Sequence, residues 1–170
     1  MDEADVAGFE KPRDKLIDWL VDEREECTVV SIVGMGGLGK TTLAKKVFDN
    51  QKVAKHFDCR VWITVSQPYN KERLLHKMLQ EFENQQGKDP SQKKQGKDPS
   101  QSLHQMDPKS LVDKVRNYLK EKRYVVVFDD VWEYSYFWYD IEFAMIDNKN
   151  GSKLLITTRN MNVAYECILF

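Results

Sequence analysis

Apolar residues along this chain recur in two alternating rhythms. After Pro12, which suits a first helical turn, Leu16, Ile17, Leu20 and Val21 return at helical spacing. Thr28–Val33 is a short β-branched run closed by a glycine, the signature of a buried strand. Leu43, Ala44, Val47 and Phe48 mark one face of a helix over Lys40–Asp49, and Arg60–Val65 reads as a second strand. Arg73–Phe82 places Leu74, Leu75, Met78, Leu79 and Phe82 on one helical face. Asp107-Pro108 supplies an N-cap and a first-turn proline to a helix bearing Leu111, Val112, Val115, Tyr118 and Leu119. Tyr124–Phe128 is apolar throughout and reads as a third strand, followed by a helix over Tyr136–Ile146. Lys153–Thr157, opened by Gly151, is a fourth strand, and a last helix is expected near Met161. Apolar strands alternating with amphipathic helices predict an α/β domain with a mostly parallel sheet covered on both faces. Ligands of such sheets bind at the carboxyl ends of the strands, here just after Val33, Val65, Phe128 and Thr157.

One stretch breaks the rhythm. Residues 84–105 are almost free of apolar side chains and contain the hexamer Gly87–Gln92 repeated as Gly96–Gln101. Such a segment cannot bury enough surface to offset its ordering entropy, so it is expected as a solvated, disordered insertion in a single domain. The chain of 170 residues has 26 Lys and Arg against 27 Asp and Glu, which excludes a globally basic nucleic-acid binder. No apolar run is long enough for a membrane span, and the acidic start Met1–Asp5 leads into no apolar secretory segment, which points to the cytoplasm. Cys27, Cys59 and Cys167 are odd in number and far apart, so reduced, buried thiols are expected. His56, His76 and His104 lack partners at metal-ligand spacing.

The chemistry is concentrated where the sheet predicts it. Gly34-Met35-Gly36-Gly37-Leu38-Gly39-Lys40-Thr41-Thr42 fits the phosphate-binding P-loop, G-x-x-x-x-G-K-[ST]. Glycines let bare backbone N–H groups approach phosphate oxygens, and the following helix turns its positive end to the same anion. The backbone of Gly34, Gly36, Gly37, Leu38 and Gly39 and the start of the helix at Thr42 would cradle phosphate, while Lys40 would reach the β/γ-phosphates and the Thr41 hydroxyl would ligate Mg²⁺. The overlapping glycine spacing of dinucleotide-binding folds requires an acidic residue after the second strand. That strand ends Val65-Ser66-Gln67, which excludes the dinucleotide reading. The third strand ends in Asp129-Asp130, the Walker B arrangement: Asp129 would hold Mg²⁺, and Asp130 would orient or deprotonate a water. Arg159, after the fourth strand, carries planar donors able to tell a triphosphate from a diphosphate.

Taken together, these segments resemble the NB-ARC domain of plant NLR disease-resistance proteins. Val6-Ala7-Gly8-Phe9 is similar to the family's adenine-contacting segment, Gly34–Thr42 to its P-loop and Phe57–Gln67 to the segment with its second strand. Val125–Trp132 resembles its acidic kinase-2 motif and Gly151–Arg159 its Thr-Thr-Arg segment. Trp132 and the wording Val61–Ser66 are similar to the coiled-coil class.

The resemblance implies a P-loop NTPase, a three-layer α/β/α sandwich in which the Thr-Thr-Arg strand lies between the P-loop and Walker B strands. It implies an ADP/ATP-dependent switch in plant defence, with slow Mg²⁺-dependent hydrolysis in the whole protein and little turnover from this segment. Val6 would contact the base, and Thr157, Thr158 and Arg159 would sense phosphate. Expected partners are an adenine nucleotide, further copies of the receptor, and flanking coiled-coil and leucine-rich-repeat domains. The rivals are a non-switching interaction fragment and a turnover ATPase or small-molecule kinase. The 84–105 insertion is long for the family, and Asp147 stands where relatives often have proline. The resemblance also implies that this chain is part of a longer protein, without the family's fifth strand, its helical and winged-helix subdomains and its ADP-contacting histidine. The sheet is then expected to be incomplete, with the P-loop strand as an open edge. The aromatic run Tyr136–Tyr139 is expected to pack as an ordinary helix face.

Overall fold

The structure, a computed structural model, describes residues 10–34, 39–65, 68–86, 107–132, 134–145, 149–159 and 166–169. Val6, Gly36, Gly37, Leu38, residues 87–106, Asp147 and the helix expected near Met161 lie outside them. In chain order the elements are α1 (Glu10–Leu20), β1 (Thr28–Val33), α2 (Lys40–Phe48), α3 (Gln51–His56), β2 (Cys59–Thr64) and α4 (Lys71–Gln86). There follow α5 (Pro108–Leu119), β3 (Tyr124–Val131), α6 (Tyr134–Ala144), β4 (Lys153–Thr158) and β5 (Glu166–Leu169).

The five strands form one sheet in the order β2-β3-β4-β1-β5, and every pairing is parallel. β4, which ends in Thr157 and Thr158, therefore lies between β1 and β3, as the resemblance implies. Burial explains the strand sequences. β3 and β4 are covered on both faces and read as nearly unbroken apolar runs. β2, at the sheet edge, alternates buried Cys59, Val61 and Ile63 with half-exposed Arg60 and Trp62.

Each face of the sheet has its own core. On one face Leu16, Leu20, Leu43, Val47 and Val53 from α1, α2 and α3 pack on Val30, Ile32, Val127 and Leu155. On the other, Leu75, Met78, Phe82, Leu111, Val115 and Phe137 from α4, α5 and α6 pack on Val61, Val126, Phe128 and Ile156. Phe82 and Tyr118 stack with centroids 4.4 Å apart, and Phe137 meets Phe128 edge-on at 4.9 Å. The aromatic run on α6 is split. Phe137 is buried, Trp138 is packed against the core, and Tyr139 is exposed. Capping follows the sequence: the Asp107 carboxylate accepts from the Ser110 N–H at 2.7 Å, with Pro108 in the first turn.

Three features differ from the sequence expectations. The open edge expected at β1 is occupied: residues 166–169 pair with Val30–Val33 in parallel register, so the P-loop strand is interior. The reason is that Glu166–Leu169 is a four-residue strand, shorter than periodicity can detect. α4 runs on through Gln86, so helix takes the first residues of the 84–105 segment; Gln85 and Gln86 are polar but compatible with a helix end. α3 was not expected at all. It is a six-residue helix started by Asn50, whose side chain accepts from the Lys52 N–H at 2.9 Å.

Candidate nucleotide site

The parallel sheet brings the ends of β1, β3 and β4 to one edge. Gly34 N–H donates to the Thr158 carbonyl at 3.1 Å, which ties the start of the P-loop to the end of β4. The loop returns to α2 through Gly39, whose φ of 87° lies in the left-handed region that only glycine enters freely. The N-cap of α2 is Gly39, which makes no side-chain cap, so the helix starts directly after the loop.

The carboxylate is aimed by a bulge. Phe128 pairs with Ile156 and Val131 with Thr158, so β3 spends one more residue than β4 over the same span. The irregularity falls on Asp129 and Asp130, and Asp130 adopts φ 64°, a conformation that Asp tolerates better than most residues. This is why β3 extends past the expected end at Phe128. The Asp130 N–H donates to Thr157 Oγ1 at 2.8 Å, and Thr157 Oγ1 in turn donates to Asp129 Oδ1 at 2.6 Å. Thr41 Oγ1, from the first turn of α2, reaches Asp129 Oδ1 at 2.9 Å and Oδ2 at 3.2 Å. Two residues 88 positions apart in sequence thus meet directly. Asp129 is buried, Asp130 half-buried.

Lys40 is buried at the same edge. Burial holds its ammonium below the usual lysine range, Arg159 pushes it further down, and Asp130 and Asp129 pull it partly back. A cation held at a cost, beside two carboxylates and a second cation, suits a polyanionic ligand.

The remaining expected residues divide. Thr158 is buried, and its hydroxyl donates to the Val131 carbonyl at 2.6 Å, joining β4 to β3. Thr157, a lesser candidate from the sequence, is the one whose hydroxyl engages Asp129. Residues of a strand alternate faces, so only one threonine of the pair can turn to the carboxylate, and the pairing of β4 with β3 decides which. Thr42 is half-buried in the first turn of α2. Arg159 is exposed, with its guanidinium carbon 4.8 Å from the centroid of the Trp132 ring.

The donor set fits Mg²⁺. The Thr41 hydroxyl and the Asp129 carboxylate are hard oxygen ligands 2.9 Å apart, and Mg²⁺ is ordinarily held by one or two protein oxygens plus phosphate and water. Among the described residues no group of three or more His, Cys, Asp or Glu could cage a cation without a ligand's help.

An interior strand leading through a P-loop into a helix, with an acidic end on a parallel strand one place removed, defines a P-loop α/β domain. Residues 9–168 match the NB-ARC domain, and the chain belongs to that family. It is 38% identical over 162 residues to the disease resistance protein RPM1 of Arabidopsis thaliana, covering 95% of this chain and 16% of that protein. It is 37% identical over 161 residues to the disease resistance protein RPP8 of the same plant, again covering 95% of this chain and 16% of the relative. The chain therefore spans about one-sixth of the length of these curated relatives. Among solved structures it resembles a signal transduction ATPase with numerous domains and a tetratricopeptide repeat sensor from Pyrococcus horikoshii. The TM-score is 0.55 at 16% identity, over 92% of this chain and 22% of that one, a likeness of fold. No helix among the described residues is long and apolar enough to cross a membrane.

Proposed function

We propose that this chain is the nucleotide-binding part of a plant immune receptor and works as an ADP/ATP-dependent switch in defence. The observation that carries the reading is the contact between Thr41 and Asp129, which brings together the two oxygen donors that would hold Mg²⁺ beside a nucleotide. The similarity to disease resistance proteins supplies the biological setting.

In this reading the backbone from Gly34 to Gly39 and the start of α2 would hold the β-phosphate, Lys40 would bind β/γ oxygens, and Val6 would contact the base. Thr41 and Asp129 would hold Mg²⁺, which when bound neutralises charge between the phosphates. Thr157 keeps the Asp129 carboxylate oriented by donating to Oδ1. Asp130 orients or deprotonates the attacking water in the slow hydrolysis that resets the switch. Arg159 meets the γ-phosphate only in the triphosphate state, and that differential contact is what shifts the population between states. Self-association, flanking coiled-coil and leucine-rich-repeat domains and a cytoplasmic location belong to the whole receptor in the same proposal.

The test is thermal unfolding of the chain with and without Mg²⁺-ADP and Mg²⁺-ATP, beside Lys40→Ala. A ligand of the native state raises the transition by mass action, about 2.7 kcal/mol at a hundredfold excess over Kd. A nucleotide-dependent rise that is lost in Lys40→Ala is the expected result. A transition indifferent to millimolar nucleotide would instead favour the rival reading of a non-switching interaction fragment.

A further inference from the structure

We propose that Trp132 is a specificity-determining residue: its indole face holds Arg159 in a rest position off the phosphates, and so sets how strongly the site prefers a triphosphate over a diphosphate. The inference rests on the nucleotide-switch reading of the site and adds a residue to it.

The geometry comes from the strand ends. The Thr158 hydroxyl donates to the Val131 carbonyl at 2.6 Å, and Thr158 pairs with Val131 in the sheet. The residues that follow, Arg159 and Trp132, are therefore held as neighbours whichever way their side chains turn. The guanidinium lies over the ring at 4.8 Å, a cation–π distance. Among the described residues, no carboxylate forms an ion pair with Arg159. Trp132 is 49% exposed, which leaves its face accessible to a neighbouring cation.

Charge explains why Arg159 rests there. Arg159 follows β4 and Lys40 opens α2, so two like charges stand at one sheet edge. Without a polyanion they repel, and the electron-rich indole face offers Arg159 an attractive position outside the cradle. A γ-phosphate draws the guanidinium off the ring, so triphosphate binding forfeits the stack. A diphosphate has no group in that place and leaves the stack intact. The indole thus weakens triphosphate binding selectively.

The experiment measures affinities of the full chain for Mg²⁺-ADP and a non-hydrolysable Mg²⁺-ATP analogue, in the wild type, Trp132→Ala, Trp132→Phe, Arg159→Ala and the Trp132→Ala/Arg159→Ala double variant. Trp132→Ala is expected to tighten the triphosphate roughly two- to five-fold, the strength of an exposed cation–π contact, with the diphosphate unchanged. Trp132→Phe should fall between. In the Arg159→Ala background the Trp132 substitution should have no effect. Indole fluorescence, corrected with Trp132→Phe for the other tryptophans, should respond to the triphosphate and not to the diphosphate. Weaker triphosphate binding in Trp132→Ala, an equal change for both nucleotides, or an effect that persists without Arg159 would overturn this role and leave the nucleotide site standing. A wild type that binds neither nucleotide would overturn the site reading, and this proposal with it.

Discussion

At the amino end of the sheet Lys153 is fully buried and meets the Asp22 carboxylate at 2.8 Å; at the carboxyl end Lys40 is buried beside Arg159, and its ammonium is held below the usual lysine range. The surroundings at the amino end are equally closed. Arg123 Nε donates to the Asn150 carbonyl at 2.7 Å, the Asp58 N–H donates to the Arg123 carbonyl while the Arg123 N–H donates to the Asp58 carboxylate, and Gly151 N–H donates to the Glu25 carbonyl at 2.8 Å. Ser152 Oγ accepts from the Tyr124 N–H and donates to the Lys122 carbonyl. Each of these donors has an internal acceptor, and the result is a clasp. At the other end the oxygen atoms of Thr41, Thr157 and Asp129 converge with the cations Lys40 and Arg159 on one edge. One sheet thus carries a polar cluster bonded mostly within itself and another that, in the proposed reading, a ligand completes.

The sharpest way to break that comparison is to remove each lysine. Lys40→Met should weaken Mg²⁺-nucleotide binding on the order of 100-fold, the loss of charge-assisted hydrogen bonds to phosphate at about 1.5–3 kcal/mol each, while raising the melting temperature of the ligand-free protein. Calorimetric titration and a thermal scan check the two halves. Lys153→Met should do the reverse. It leaves Asp22 without its buried partner and should cost about 2–3 kcal/mol in denaturant unfolding, with nucleotide affinity of the folded protein unchanged. The upper range for a broken buried pair is reduced here because the Asp22 side chain is 23% exposed.

Smaller effects sharpen the contrast. Gly151 sits at φ 80°, and a Cβ there would meet the Arg24 carbonyl at 3.0 Å. Gly151→Ala should therefore destabilise by about 1–2 kcal/mol, read from the denaturant midpoint, without touching ligand affinity. The pH dependence is the finest probe. Because the folded pKa of Lys40 lies below the unfolded value of 10.5, the unfolded state binds the extra proton in the window just under 10.5. Through that window the ligand-free wild type should gain stability relative to Lys40→Met as pH rises, while nucleotide affinity falls. The comparison must be between the two proteins. Burial also pushes Cys59 up to about 11 and Tyr118 up to about 12, and these acids destabilise the fold with rising pH in both.

Much of this was legible in the sequence where the signal is local. β1 runs over the residues its β-branched run marks, because a strand buried on both faces must be apolar throughout. The P-loop, Asp129 and Arg159 stand out in the sequence because they are the residue types that phosphate chemistry calls for at strand ends. What was not legible depends on residues far apart. The bulge at Asp129-Asp130 is a property of β3 paired with β4, and nothing in Val127-Phe128-Asp129-Asp130 alone announces it. The Asp22–Lys153 pair spans 131 positions, and the lysine's burial contradicts its usual surface preference. β5 escaped notice because four residues carry too little periodicity, and its partner is the distant β1. Thr157 and Thr158 could be told apart only once the register assigned their faces.

The account stands on the carboxyl end of the sheet being a ligand site while the amino end is a structural clasp. The most direct test is titration of Mg²⁺-ADP into the wild type, Lys40→Met and Lys153→Met, at a temperature where all three are folded. The account predicts equal affinity for the wild type and Lys153→Met and a loss on the order of 100-fold for Lys40→Met. Binding that survives in Lys40→Met, or falls equally in both variants, would contradict it.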